Sequence, residues 1–119
     1  MNIGVIGQNG EDRVALFLRK QGFDILKRNF VCRFGEIDII ARNDEYIIFV
    51  EVKTRKSDSI ADPKDSVDVY KQQRILGAAK NYIYRSRCLL QPRFDVAEVT
   101  VSETDGRLSY SLNYIKNAF

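Results

Sequence analysis

The sequence predicts an α/β domain in which helices flank a central mixed β-sheet, in the order α-β-β-β-α-β-β. Three observations carry that expectation. Two segments repeat apolar residues at helical spacing, one through Val14, Phe17 and Leu18 and one through Ile75, Leu76, Ala79 and Ile83. Five shorter runs are rich in β-branched and aromatic residues, as strands are. Polar, turn-forming stretches such as RFG, NDE and Asp105-Gly106 separate them. A chain of 119 residues can bury one real core but not two, so residues 1–119 are expected to form a single domain.

The first helix is predicted over about residues 10–21, capped by Asn9. Glu11 and Asp12 then stand in its first turn, near the positive end of the dipole, and Gly22 stops it. FDILKRNFVC alternates loosely and reads as a strand, RFG turns the chain, and EIDIIAR follows as a second strand. NDE is the next turn, and YIIFVEVKT is a third strand that makes a central hairpin with the second. The stretch from Arg55 to Ser66 contains Pro63 and little that is apolar, which predicts a mobile surface loop. A second helix is expected over about 67–86, with Lys71, Arg74 and Lys80 on its polar face. RFDVAEVTV is a strand, Asp105-Gly106 a tight turn, and LSYSLNYI the last strand. The glycines of GVIGQNG have neither the spacing nor the preceding strand of a dinucleotide-binding loop.

Composition narrows the function classes. Apolar residues at 45% and charged residues at 29% are those of a globular protein. No window approaches the roughly 20 apolar residues of a membrane span. MNIGVIGQNG lacks a signal peptide's basic start and apolar stretch, so a cytoplasmic protein with no membrane partner is expected. Two distant cysteines and no histidine leave oxygen as the ligand type for any metal. Cys32 and Cys88 read as small core residues in a reducing compartment. A net charge of +3 tolerates a nucleic-acid partner without requiring one. Basic residues nevertheless cluster: Lys27, Arg28, Arg33 and Arg42, then Arg55 and Lys56, then Lys71, Arg74 and Lys80.

The segment GEIDIIARNDEYIIFVEVKTR places Glu36, Asp38, Glu51 and Lys53 inside runs built for burial. Alternation sets Glu36 and Asp38 on one face of their strand, opposite Ile37 and Ile39, and sets Glu51 and Lys53 opposite Val50 and Val52. With Asp44 and Glu45 as the turn, Asp38 faces Glu51 and Glu36 faces Lys53; a slip of one residue would separate them. Two facing carboxylates repel unless something positive lies between them. Magnesium is held by one or two carboxylates completed by waters and phosphate oxygens, and Asp38 and Glu51 suit that role, with the Val52 carbonyl as a further ligand. Lys53 could then orient an attacking water or steady charge developing on a phosphate. The bland reading, charges alternating on a solvated face, suits E-x-K alone but not acids embedded in DII and IIFV.

GEIDIIA followed by FVEVKTR resembles the PD-(D/E)XK nuclease superfamily, with its restriction-endonuclease-like fold. Within it the chain is similar to the uncharacterised bacterial YraN-like family, itself similar to archaeal Holliday-junction resolvases. The likeness runs through NGEDRVALFLRKQGF, NFVCRFGEIDIIA, IIFVEVKTR, KQQRILGAAKNYI, RFDVAEV and YIKNAF. It implies Asp38 and Glu51 as ligands of Mg2+ or Mn2+, Lys53 as the catalytic lysine and Glu11 as a further acid at the metal site. It also implies Lys71 near the scissile phosphate. Ile37 replaces the proline of the superfamily's name, as in many active members. Arg74, Arg55 and Lys56 join Lys71 as the expected nucleic-acid contacts. Glu11 has an equal reading as a helix-dipole partner, and Glu36 as a partner of Lys53.

The leading expectation is a magnesium-dependent endonuclease acting on DNA, branched or otherwise structured. The alternative is a nucleic-acid-binding module that keeps the fold without turnover. A junction offers two symmetric strands, which makes a homodimer an expectation of the resemblance.

Overall fold

The computed structural model describes residues 3–57 and 67–119, with side chains from residue 8 onward. Helix α1 covers Ile3–Lys20, followed by strands β1 Asp24–Cys32, β2 Gly35–Arg42 and β3 Tyr46–Lys56. Helix α2 covers Val69–Ser86, and β4 Gln91–Thr104 and β5 Arg107–Ile115 complete the chain. The five strands form one mixed sheet in the order β1-β2-β3-β4-β5. β3 and β4 run parallel, with α2 in the crossover between them, and the other neighbouring strands run antiparallel. Asp105 and Gly106, both at positive φ, form the β4–β5 turn as expected. The architecture is the α/β sandwich of the expected order.

The helices take opposite faces of the sheet. Val14, Ala15 and Leu18 of α1 pack on Ile39, Ala41, Ile48, Val50, Ala97 and Val99. Ile75, Ala78 and Ala79 of α2 pack on Ile37, Ile40, Ile47 and Phe49. Covering both faces explains why β3 reads IIFV without alternation: Ile47, Ile48, Phe49 and Val50 are all fully buried. Cys32 and Cys88 are free and half-buried against the α2-side core, consistent with a packing role.

Three local expectations are corrected. The first helix begins at Ile3, so Asn9, Glu11 and Asp12 lie inside it and there is no acid in its first turn. Gly10 does not break the helix, because its missing side chain lets α1 lie directly on Thr54 of β3. Asn9 therefore does not cap; its side-chain amide donates to the Tyr110 hydroxyl at 3.5 Å. Second, β3 continues through Arg55 and Lys56, which the loop expectation had excluded, because β4 pairs alongside as far as Val101. The rest of that loop, 58–66, lies outside the described residues. Third, Ile37 and Ile39 do not share a face: Ile37 joins the α2-side core and Ile39 the α1-side core. The break falls at Asp38, and in the β1–β2 register the residue between the Arg28–Ile39 and Phe30–Ile37 pairs is Asn29, at φ 52. Asparagine tolerates that left-handed backbone, so the pleat can rotate there.

A buried polar cluster lies in the first half of β4. Asp95 is fully buried and accepts from Arg93 Nε (3.0 Å), Arg93 Nη2 (2.8 Å), the Tyr114 hydroxyl (2.6 Å) and the Asn117 amide (3.0 Å). The Arg93 guanidinium also lies over the Tyr46 and Phe23 rings, at 5.0 and 5.7 Å. Burial and then the bond to Asp95 raise the Tyr114 hydroxyl above its ordinary pKa. With its lone pairs occupied and a guanidinium as counter-charge, Asp95 ties β4, β5 and the C-terminal residues together.

Candidate functional site

The β2–β3 hairpin has the register the turn residues imply: Arg42 faces Ile47 and Ile39 faces Val50. Continuing it brings Asp38 opposite Glu51, where the two strands separate. There the Val52 amide donates to Asp38 Oδ2 at 2.7 Å, so a side chain supplies the acceptor. Val52 thus meets Asp38 through its main chain. Glu51 points to the α2 side, as its neighbours Ile47 and Phe49 do, and is 8% exposed. Its counter-charge comes from α2: the Lys71 ammonium forms an ion pair with Glu51 Oε1. Asp68 caps α2, accepting from the Lys71 amide at 2.8 Å, and so fixes the turn from which that ammonium reaches.

Electrostatically the site is overloaded with negative charge. Burial, and after it the charge of Glu51, pushes the Asp38 carboxyl up to about 7, against the opposing effect of the Val52 amide. Glu11 adds to the rise from α1, so three acids on three elements act on one locus. Glu11 is engaged as well: Arg28 of β1 donates to its Oε1 at 3.2 Å and pairs with Asp12 at 2.7 Å. Facing acids of this kind are relieved by a proton or by a cation. Lys71 already supplies one positive charge to Glu51.

Lys53 lies two residues beyond Glu51 on β3 and is half-buried. Its register partner in β4 is Glu98, an acid the sequence reading passed over. Ala97 and Val99 face α1, so Glu98 takes the face of Glu51 and Lys53. The signal was present in the alternation of DVAEVTV, but the β3–β4 pairing is set by a long crossover that local pattern does not reveal. Glu36 is exposed and pairs in register with Val31 of β1. Arg55 and Lys56 follow at the end of β3, beside Thr100 and Val101, and Arg74 stands one helical turn beyond Lys71. Tyr82 packs edge-on against Phe30 and Phe49, whereas Tyr84 is 85% exposed.

The donor set suits a hard cation in part. Among the described residues no three Asp, Glu or Cys side chains stand together as a ready ligand group. Asp38 and Glu51 offer two carboxylates, all oxygen, in a place where burial and then mutual repulsion raise Asp38 to about 7. That fits an ion of the magnesium type, whose remaining positions are taken by water and phosphate oxygens rather than by a protein cage.

Comparison with known proteins adds the family. The sequence pattern of uncharacterised protein family UPF0102 matches residues 10–99. A UPF0102 protein of Clostridium perfringens is 49% identical over 115 residues, covering 96% of this chain and 93% of the relative. One from Caldanaerobacter subterraneus subsp. tengcongensis is 43% identical over 120 residues, covering 100% and 98%. One from Caldicellulosiruptor saccharolyticus is 40% identical over the full length of both chains. No helix among the described residues is long and apolar enough to cross a membrane.

Proposed function

The chain belongs to the uncharacterised protein family UPF0102, the YraN-like family its motifs resemble, and from that premise we propose that it is a divalent-cation-dependent endonuclease acting on DNA. The observation that carries this reading is the convergence of Asp38 and Glu51 where β2 and β3 part, with the Lys71 ammonium paired to Glu51. Asp38 and Glu51 would hold magnesium or manganese, which when bound polarises a phosphate and activates water. Lys53, two residues from Glu51, lies on the same face and can position the water or meet the charge growing on the phosphate. Lys71 becomes available to a phosphate oxygen once Glu51 has another counter-charge. Glu11 adds negative potential that favours positive charge at the site, a bound cation or, without one, a proton on Asp38.

The test incubates the protein with magnesium and labelled linear, flap and four-way DNA beside Asp38→Ala and Glu51→Ala. Magnesium-dependent products from the native chain alone support the reading, and equal background from all three removes it. A second reading, nucleic-acid binding without turnover, is favoured by the lack of a three-acid group among the described residues. Its mark is salt-sensitive DNA binding that survives in Glu51→Ala with no metal-dependent product.

A further inference from the structure

Two exposed aromatic rings lie on α2 and on the turn packed against it. Tyr70, the residue before Lys71, is 69% exposed, and Phe34 in the β1–β2 turn is 42% exposed. Each carries a guanidinium on its face: Arg74 lies 6.0 Å from the Tyr70 ring centre and Arg33 lies 4.8 Å from that of Phe34. The helix and the turn meet by close packing. A Cβ on Gly35 would stand 2.6 Å from the Arg74 carbonyl oxygen, and one on Gly77 would stand 3.1 Å from Phe34 Cβ. Tyr70, Arg74 and Gly77 recur at i, i+4 and i+7, which puts them along one side of α2, and the turn lies against that side. The result is a stripe of rings and guanidinium planes whose first member, Tyr70, immediately precedes the Lys71 that pairs with Glu51.

The occupant that matches has flat apolar faces and negative charge together. The cations on the stripe are Arg33 and Arg74, with Lys71 beside it paired to Glu51; the acids nearest in sequence are the exposed Glu36 and Asp68, and Asp68 is engaged in capping α2. A continuous duplex hides its base faces in its own stack and would meet these rings only with sugar and phosphate. Unpaired nucleotides present the face of each base, and both aromatic rings and guanidinium planes stack on such faces. We infer that the stripe formed by Phe34, Arg74 and Tyr70 binds unpaired bases of a DNA strand. Resting on the endonuclease reading, this names the substrate class: DNA with a single-stranded segment adjoining the position of cleavage.

The test measures fluorescence anisotropy of a labelled oligo-dT and of a blunt duplex of equal length, in EDTA so that nothing is cut. The native chain binds the single strand more tightly. Tyr70→Leu and Phe34→Leu each weaken single-strand binding by about tenfold and leave duplex binding nearly unchanged. Arg74→Lys keeps the salt dependence but lowers single-strand affinity, because an ammonium has no plane to stack. Tyr70 is mostly exposed, so Tyr70→Leu is the variant that keeps its fold, checked by circular dichroism. Equal affinity for both DNAs, or a folded Tyr70→Leu that binds oligo-dT as the native chain does, overturns the inference. So does sedimentation showing that Tyr70→Leu splits a dimer without altering DNA affinity, which makes the stripe an interface between copies. Stacking-dependent binding with no magnesium-dependent cleavage removes the enzyme reading and leaves this one. Cleavage of continuous duplex, indifferent to Tyr70→Leu, does the reverse.

Discussion

The Val52 amide donates to Asp38 Oδ2 at 2.7 Å, which makes the carboxylate of one central strand an acceptor for the backbone of the next. The bond holds Asp38 beside Glu51 although their charges oppose it. The cost of that arrangement appears as pH dependence.

Asp38 rises from an ordinary 3.8 to about 7 on folding, so the folded state prefers it protonated. Sign follows directly: the penalty is absent below about pH 4, grows as pH rises and is complete above about pH 7. Asp38→Asn keeps an oxygen for the Val52 amide and drops the charge. In urea unfolding without divalent ions, it should exceed the native chain in stability by on the order of 2–4 kcal/mol at pH 8, the gap closing near pH 4. Equal stability at pH 8 would show that Asp38 is not held near Glu51 as described.

Lys71→Met takes the ammonium from a Glu51 that is 8% exposed. Without divalent ions the variant should lose on the order of 1–3 kcal/mol, the cost of a buried acid deprived of its partner. Magnesium should then raise the thermal midpoint of Lys71→Met more than that of the native chain, since ion and ammonium compete for one carboxylate. Identical shifts would mean that the ion, if bound, does not use Glu51.

Gly35→Ala places a Cβ against main chain of α2, at 2.6 Å from the Arg74 carbonyl oxygen, and backbone cannot swing aside as a side chain can. A loss of about 1–3 kcal/mol is expected. At Gly22, φ 93 with open space around it, an alanine is opposed by backbone conformation and not by packing. Denaturation with an asparagine at each site separates the two causes: Gly22→Asn, whose side chain tolerates positive φ, should be milder than Gly22→Ala, whereas Gly35→Asn should be no milder than Gly35→Ala.

Arg93→Met leaves Asp95 fully buried without its guanidinium. The expected loss is about 3–5 kcal/mol. Tyr114→Phe removes one neutral donor of several and should cost nearer 1 kcal/mol. Chemical denaturation in which Arg93→Met is as mild as Tyr114→Phe would refute the view of Asp95 as a hub held chiefly by the Arg93 guanidinium.

Much of the chain was legible because short-range pattern and tertiary demand agree. The turn NDE pins the β2–β3 register, and Asn43 confirms why: its side-chain oxygen accepts from the amides of Glu45 and Tyr46 at 2.9 and 2.7 Å. Legibility failed where the deciding contact is distant in sequence. Gly10 looks like a helix boundary until Thr54 is seen against it. Asp95 looks like one more polar residue on a strand until Arg93, Tyr114 and Asn117 surround it.

By itself the sequence determined the element order, the hairpin register that sets Asp38 across from Glu51, and the doubly buried character of β3. These follow from periodicity and turn chemistry, which act over a few residues. Only the tertiary structure decided that Lys71 balances Glu51, that Arg28 engages Glu11, that Glu98 stands beside Lys53, and that the pleat turns over at Asp38 opposite Asn29. Each of these joins elements brought together by packing, where charge and close approach depend on distances in space that spacing along the chain does not encode.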